Sequence, residues 1–166
     1  MVIIVDTREK PRAIQKILAE FDRHGVKVVR RALNFADYFN PAVPDRIIDR
    51  KQNLLEIAFN VVQERKRFLR EVERCNRAGC HMIVLIEHST RIRKLDDVIG
   101  WKNPRLKVSP LAVSGERLFR IMKQMELTYG IEWQFCGKQQ TGKKIIELLR
   151  GEDDGRPGSA DLQGHI

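Results

Sequence analysis

The sequence predicts an α/β domain, with a central mixed sheet covered by helices on both faces. Three observations predict it. Short apolar runs alternate with amphipathic helical stretches along the chain. One run, His81 to Glu87 (HMIVLIE), is almost continuously apolar, the pattern of a strand at a sheet centre. Hydrophobic residues make up 42% of the 166 residues, enough to bury a single core.

Val2 to Val5 reads as a buried strand that ends abruptly in the polar cluster Asp6-Thr7-Arg8-Glu9. Pro11 suits the first turn of a helix. Ile14, Ile17, Leu18 and Phe21 give that helix one apolar face, and Gly25 ends it. Val26 to Leu33 is a second strand and Asp37-Tyr38-Phe39 a third. Asn40-Pro41 and Pro44-Asp45 mark a turn, and Arg46 to Lys51 (RIIDRK) is a fourth strand.

Gln52 to Ala78 contains neither proline nor glycine and predicts one long helix. Its apolar side is expected at Leu55, Ala58, Val62, Leu69 and Val72, with Arg67, Arg70, Arg74 and Arg77 roughly opposite. The HMIVLIE strand follows. Ser89 to Pro110 is a basic loop carrying Arg91, Arg93, Lys94, Trp101, Lys102, Arg105 and Lys107. Ser114 starts another helix, with Leu118, Ile121, Met122 and Met125 on its apolar face. Ile131 to Cys136 is the last strand, and Thr141 to Leu149 the last helix. Residues 1–150 form the domain. Residues 151–166 (GEDDGRPGSADLQGHI) have few apolar residues and four acids, and are expected to be a disordered tail.

The net charge is +9, which favours a polyanionic partner, nucleic acid first and an acidic membrane surface second. No apolar run is long enough to span a membrane and no secretory signal is visible, so the expected location is cytoplasmic. Cys75, Cys80 and Cys136 are odd in number and are expected as free thiols; no second metal-ligand pair accompanies Cys75, Cys80 and His81.

A strand alternates its side chains, so Asp49 and Lys51 should share one face and Arg50 the other. If Asp37 opens one strand of a hairpin and Asp49 closes the other, their carboxylates approach. Two such acids repel unless a divalent cation such as Mg²⁺ lies between them. Such an ion can activate water and stabilise charge on a phosphoryl group, with Lys51 orienting or deprotonating the water. Gly137 to Lys144 also fits G-x4-G-K, but Lys144 stands where a phosphate loop needs Ser or Thr. A basic turn is the simpler reading.

Three ordered segments carry a resemblance: Val5-Asp6-Thr7-Arg8-Glu9, Ala36-Asp37-Tyr38 and Ile48-Asp49-Arg50-Lys51. With the Phe68–Glu87 and Trp133–Leu149 segments, they resemble the nuclease domain of the XPF family, a branch of the PD-(D/E)XK superfamily. The resemblance covers about residues 1–150 and implies a restriction-endonuclease-like fold. It implies a Mg²⁺- or Mn²⁺-dependent DNA endonuclease in which Asp37, Asp49 and the carbonyl of Arg50 bind the metal. Lys51 would be the catalytic lysine, Asp6 and Glu9 supporting acids, and Arg8 and Arg50 site cations. Arg67 matches an arginine that lies near the family's site. Arg70, Arg74, Arg91, Arg93, Lys94, Lys102 and Trp101 are the further candidates for DNA contact.

Ala36 stands in place of the family's usual glycine, Asp49 in place of its glutamate, and Leu55 where many members carry an acid. The helix-hairpin-helix modules of most members are not expected in so short a chain. That architecture suggests recombination, repair or phage DNA processing, with a separate partner for specificity and a homodimer by family analogy. The alternative is a DNA-binding module that keeps the fold without cleaving.

Overall fold

The computed structural model describes residues 1–89 and 91–151. The expected tail therefore lies outside the described residues from 152 onward. The elements follow the predicted order: β1 (Val2–Val5), a 3₁₀ turn (Pro11–Ile14), α1 (Gln15–Arg23), β2 (Lys27–Arg30), β3 (Tyr38–Phe39) and β4 (Arg46–Lys51). Then come α2 (Leu54–Ala58), a π turn (Phe59–Gln63), α3 (Arg65–Arg77) and β5 (His81–Glu87). Two 3₁₀ turns (Leu95–Gly100 and Pro104–Lys107), α4 (Gly115–Tyr129), β6 (Glu132–Cys136) and α5 (Thr141–Leu148) complete the domain. No helix among the described residues is long and apolar enough to cross a membrane.

The six strands form one mixed sheet in the order β2-β1-β3-β4-β5-β6. β3 is antiparallel to both of its neighbours, β1 and β4, whereas β4, β5 and β6 are mutually parallel. β1, β4, β5 and β6 therefore all point one way, and β3 begins where they end. The segment after β1, the start of β3, the end of β4 and the loops after β5 and β6 all gather at one edge of the sheet. Segments far apart in sequence are thus collected by topology.

The alternation expected for β4 holds. Ile47 packs on one face with Met82, Val84 and Ile86, under Phe68 and Val72 of α3 and Leu118 and Met122 of α4. Ile48 packs on the other with Ile83 and Leu85, under Phe21 of α1 and Ile145 of α5. Burial on both faces explains the continuous apolar run of β5, which β4 and β6 flank.

The single helix expected over residues 52–78 is broken. Asn53 caps α2, its side chain accepting from the Glu56 N–H. The Glu64 N–H then donates to the Phe59 carbonyl at 3.0 Å, a bond five residues long, before α3 restarts. The apolar face also differs from expectation. Leu54, Ile57, Val61, Phe68, Val72 and Cys75 are buried, while Leu55 is exposed. Two apolar stripes overlap in this stretch, and the sheet beneath decides which one is covered. No proline or glycine marks the break, so the sequence carries no local signal for it.

The basic loop is less irregular than expected, since its two 3₁₀ turns wrap the start of α4. Gly115 makes that possible. A Cβ there would lie 2.5 Å from the Trp101 carbonyl oxygen and 2.6 Å from that of Val98. Backbone cannot yield as a side-chain tip can, so Gly115→Ala is expected to cost about 2–3 kcal/mol, with the whole loop displaced. Thermal denaturation checks it; an unchanged melting temperature would mean that the loop moves freely.

Candidate metal-dependent site at the sheet edge

The edge where the strands end holds all three motifs. At its centre, Asp49 and Lys51 share a face of β4, with Lys51 Nζ 3.0 Å from Asp49 Oδ2. Asp37 comes in from the start of β3. Its Oδ2 accepts the Arg50 N–H at 2.8 Å, and its own N–H donates to the Ile48 carbonyl at 2.9 Å. A residue's N–H and C=O leave a strand on the same side, so the Arg50 carbonyl also points past the end of β3, beside Asp37.

Burial pushes the Asp37 carboxyl well above the ordinary carboxylate range, and the neighbouring charges of Asp49 and Glu9 push it further. Lys51 behaves oppositely. Burial opposes its charge, but the Asp49 carboxylate more than compensates and holds the amine above its ordinary value. In the metal-free protein Lys51 is therefore an ammonium at neutral pH. The pair Asp37–Asp49 is a crowded set of hard oxygen donors, with one oxygen of each already committed, to Arg50 and Lys51 respectively. Such a set fits a divalent cation supplemented by a carbonyl, water and phosphate oxygens. Among the described residues there is no cluster of three or more His, Cys, Asp or Glu arranged as ligands.

The remaining motif residues surround this centre. Asp6 is fully buried. It accepts from the Arg8 backbone N–H and Nε at 2.8 and 2.6 Å, and from the Leu33 N–H at 2.6 Å. Burial alone would raise its pKa, but the hydrogen bonds from Arg8 and the Leu33 N–H, with the Arg8 charge, together outweigh that, and Asp6 sits below the usual carboxylate value. Arg8 in turn donates to the Leu33 and Ala36 carbonyls. Asp6 and Arg8 thus tie down the loop that presents Asp37.

Arg50 takes the other face of β4, as its alternation requires. Its guanidinium points to the face opposite Asp49 and is buried, donating to both Glu9 oxygens (2.9 and 3.1 Å) and to Glu87 Oε1 (3.1 Å). It is an internal ion-pair centre rather than a cation facing substrate. Alternation along β4 dictates this once Asp49 faces the site. Glu9 also accepts from the Tyr38 hydroxyl at 2.7 Å, and Glu87 from the Thr141 hydroxyl at 2.9 Å. Tyr38, Glu87 and Thr141 were not recognisable as part of this network from sequence. The antiparallel pairing of β3 with β4 brings in Tyr38, and the parallel pairing of β4, β5 and β6 brings in Glu87 and Thr141. The same bond settles the G-x4-G-K segment: its Thr141 is committed to Glu87, and α5 packs closely on α1, leaving Gly142 no room for a side chain against Glu20.

Ala36 has φ +58°, a left-handed conformation that explains why glycine suits this position. Its N–H is held by Glu71 Oε1 at 2.9 Å, another residue that sequence did not single out. Ala36→Gly exchanges relief of strain against loss of a buried methyl and is expected to stay within about 1 kcal/mol of the parent. Ala36→Val should cost about 3 kcal/mol or more, since a β-branched residue tolerates neither the conformation nor the space. Urea unfolding of the two variants checks the contrast.

The candidate DNA-contact residues Arg67, Arg70, Arg74, Arg91, Arg93, Lys94 and Lys102 are all exposed. Arg67 shares the rim of a small cavity with Lys51, so the structure brings it to the site. It is also 3.6 Å from Glu64 across the helix surface. The loop after β5 leaves from the same sheet edge as Lys51. Trp101 is half-buried and packs against the core, so the structure gives it a packing role rather than a free stacking face. Cys75 and Cys80 are buried free thiols, with Cys75 Sγ donating to the Cys80 carbonyl; Cys136 is free and half-buried.

The ERCC4 domain model matches residues 5–148. The chain belongs to the ERCC4-domain family. The match spans all three motifs and the closing strand and helix, so the resemblance to XPF-type nuclease domains holds over the whole described fold. XPF from Aeropyrum pernix superposes with a TM-score of 0.63 at 19% identity, covering 90% of this chain and 64% of that one. XPF from Aeropyrum pernix in complex with DNA gives a TM-score of 0.64 at 20% identity, covering 97% of this chain and 68% of that one. At such identities the likeness shows the fold. No curated protein matches the chain by sequence.

Proposed function

We propose that this ERCC4 domain is a metal-dependent DNA endonuclease that hydrolyses phosphodiester bonds. The observation that carries the reading is the half-buried Asp37 set beside the buried Asp49, with the Lys51 ammonium 3.0 Å from Asp49 at the end of β4. Two acids are crowded with a single ammonium, that of Lys51, paired to one of them, so the pair keeps an excess of negative charge. A packing role alone does not account for that arrangement.

Asp37, Asp49 and the Arg50 carbonyl would hold Mg²⁺ or Mn²⁺. Such an ion, when bound, lowers the pKa of a coordinated water and neutralises charge on the phosphoryl oxygens. The chain's own residues do the rest. Lys51, being charged, orients the attacking water and donates to the phosphoryl oxygen on which negative charge accumulates. The Arg50 N–H holds Asp37 in place. Arg67 at the rim and the basic loop from Arg91 to Lys107 bind the DNA backbone, which supplies affinity without sequence preference.

Branched or structured DNA, as processed in recombination and repair, is the substrate class we infer from the family, with a homodimer or a separate partner supplying specificity. The test is incubation of the purified chain with branched, duplex and single-stranded DNA in Mg²⁺, Mn²⁺ or EDTA. Cleavage in either metal, absent in EDTA and in Asp49→Asn, is expected. Binding without cleavage on every substrate would sink the enzyme reading and leave a DNA-binding module.

A further inference from the structure

The break between α2 and α3 has a consequence at the site. In an unbroken α-helix the Glu64 N–H would bond to the Asn60 carbonyl; here it reaches back to Phe59 instead. The widened turn carries the Asn60 side chain to a cavity of about 50 Å³ whose lining includes Lys51, Arg67 and Glu71. Asn60 Oδ1 is the one buried side-chain nitrogen or oxygen among the described residues that has no hydrogen-bond partner. A buried acceptor of this kind is costly unless something satisfies it. The cavity is large enough for a water molecule and has polar groups on several sides. Turns of the π type are recurrent at functional sites, because they aim a side chain that a regular helix would place elsewhere.

We propose that Asn60 is a positioning residue of the site: a water held in this cavity bridges Asn60 Oδ1 to Lys51 Nζ. The role in cleavage rests on the nuclease reading above. A lysine ammonium has three protons. One is directed at Asp49 Oδ2, 3.0 Å away. A second, donated to the bridging water, fixes rotation about the terminal bond, and the third is left pointing at the substrate. Asn60 contacts no reacting atom in this scheme; it acts through the aim of Lys51.

Asn60→Leu keeps the side-chain volume and removes the acceptor, whereas Asn60→Asp keeps an acceptor in place. For Asn60→Leu the expected result is a kcat lower by about tenfold to a hundredfold, with KM nearly unchanged. Its melting temperature should equal or exceed that of the parent, because an unsatisfied group is gone. Asn60→Asp should restore most of the rate. The second measurement needs no activity: hydrogen exchange of the Lys51 ammonium by NMR in the metal-free protein. It should be slow in the parent and in Asn60→Asp, and severalfold faster in Asn60→Leu. Should Asn60→Leu not fold, Asn60→Ala takes its place in both measurements. A Leu variant with parental kcat, or with parental ammonium exchange, would overturn the proposal. A parent protein that cleaves no DNA would refute the nuclease reading instead, and the exchange measurement would then decide the Asn60 bridge alone.

Discussion

Asp37→Asn is expected to abolish cleavage and, in the metal-free protein at neutral pH, to raise stability. Burial first, then the charges of Asp49 and Glu9, lift the Asp37 carboxyl well above its usual value of 3.8. The folded state therefore holds that proton more tightly than the unfolded chain does. The stability this contributes is fully present below the unfolded pKa and is lost as pH rises through the folded one. At neutral pH an ionised Asp37 is a cost, which asparagine removes while still accepting the Arg50 N–H through its amide oxygen. In EDTA the variant should melt higher than the parent at pH 7, with the gap closing as pH falls through the carboxylate range. Added Mg²⁺ should stabilise the parent but not the variant, because only the parent gains a ligand in its folded state. Cleavage should fall by about 10²–10³-fold or more. A variant that melts lower than the parent in EDTA at pH 7 would show that ion pairs, not crowding, govern Asp37.

Arg50→Met is expected to be the most destabilising change at this edge. The side chain bridges two carboxylates, Glu9 and Glu87, and all three groups are largely out of water. Removing the cation leaves two buried anions uncompensated, which costs about 3–5 kcal/mol. For a domain of this size that lowers the melting temperature by roughly 6–20 °C. Arg50→Lys should recover only part, since an ammonium cannot reproduce three directed bonds across two carboxylates. The triple variant Glu9→Gln, Arg50→Met, Glu87→Gln should regain much of the loss, because the anions go with the cation. If Arg50 were instead a cation serving substrate, Arg50→Met would lose activity with its melting temperature intact. Denaturation of the three variants in parallel separates the two outcomes.

The contrast between Asp49 and Arg50 shows what pattern could and could not reveal. Alternation placed Asp49 and Lys51 on one face and Arg50 on the other, and the structure agrees. What occupies each face was not readable. Glu87 lies 37 residues beyond Arg50 and Thr141 a further 54, and only the parallel register of β4, β5 and β6 makes them neighbours. Glu71, on the arginine-rich surface of α3, holds the Ala36 N–H in a left-handed turn, and nothing local to it signals that contact. The π turn at Phe59–Gln63 left no trace in the sequence, because no breaker residue marks it and either of two apolar stripes could have faced the sheet.

By itself the sequence determined the element order, the strand edges of β4 and β5, and the three motifs with their sheet faces. Those features are local: hydrophobic period, turn residues and alternation act within a few residues of one another. The tertiary structure alone decided which acids meet. It made Asp37 and Asp49 a crowded pair, kept Lys51 charged, turned Arg50 and Asp6 inward as supports with the exposed Arg8 clamped over Asp6, and brought Asn60 to the cavity beside Lys51. Those outcomes depend on strand order and on which helix face is buried, and no single segment of the chain encodes either.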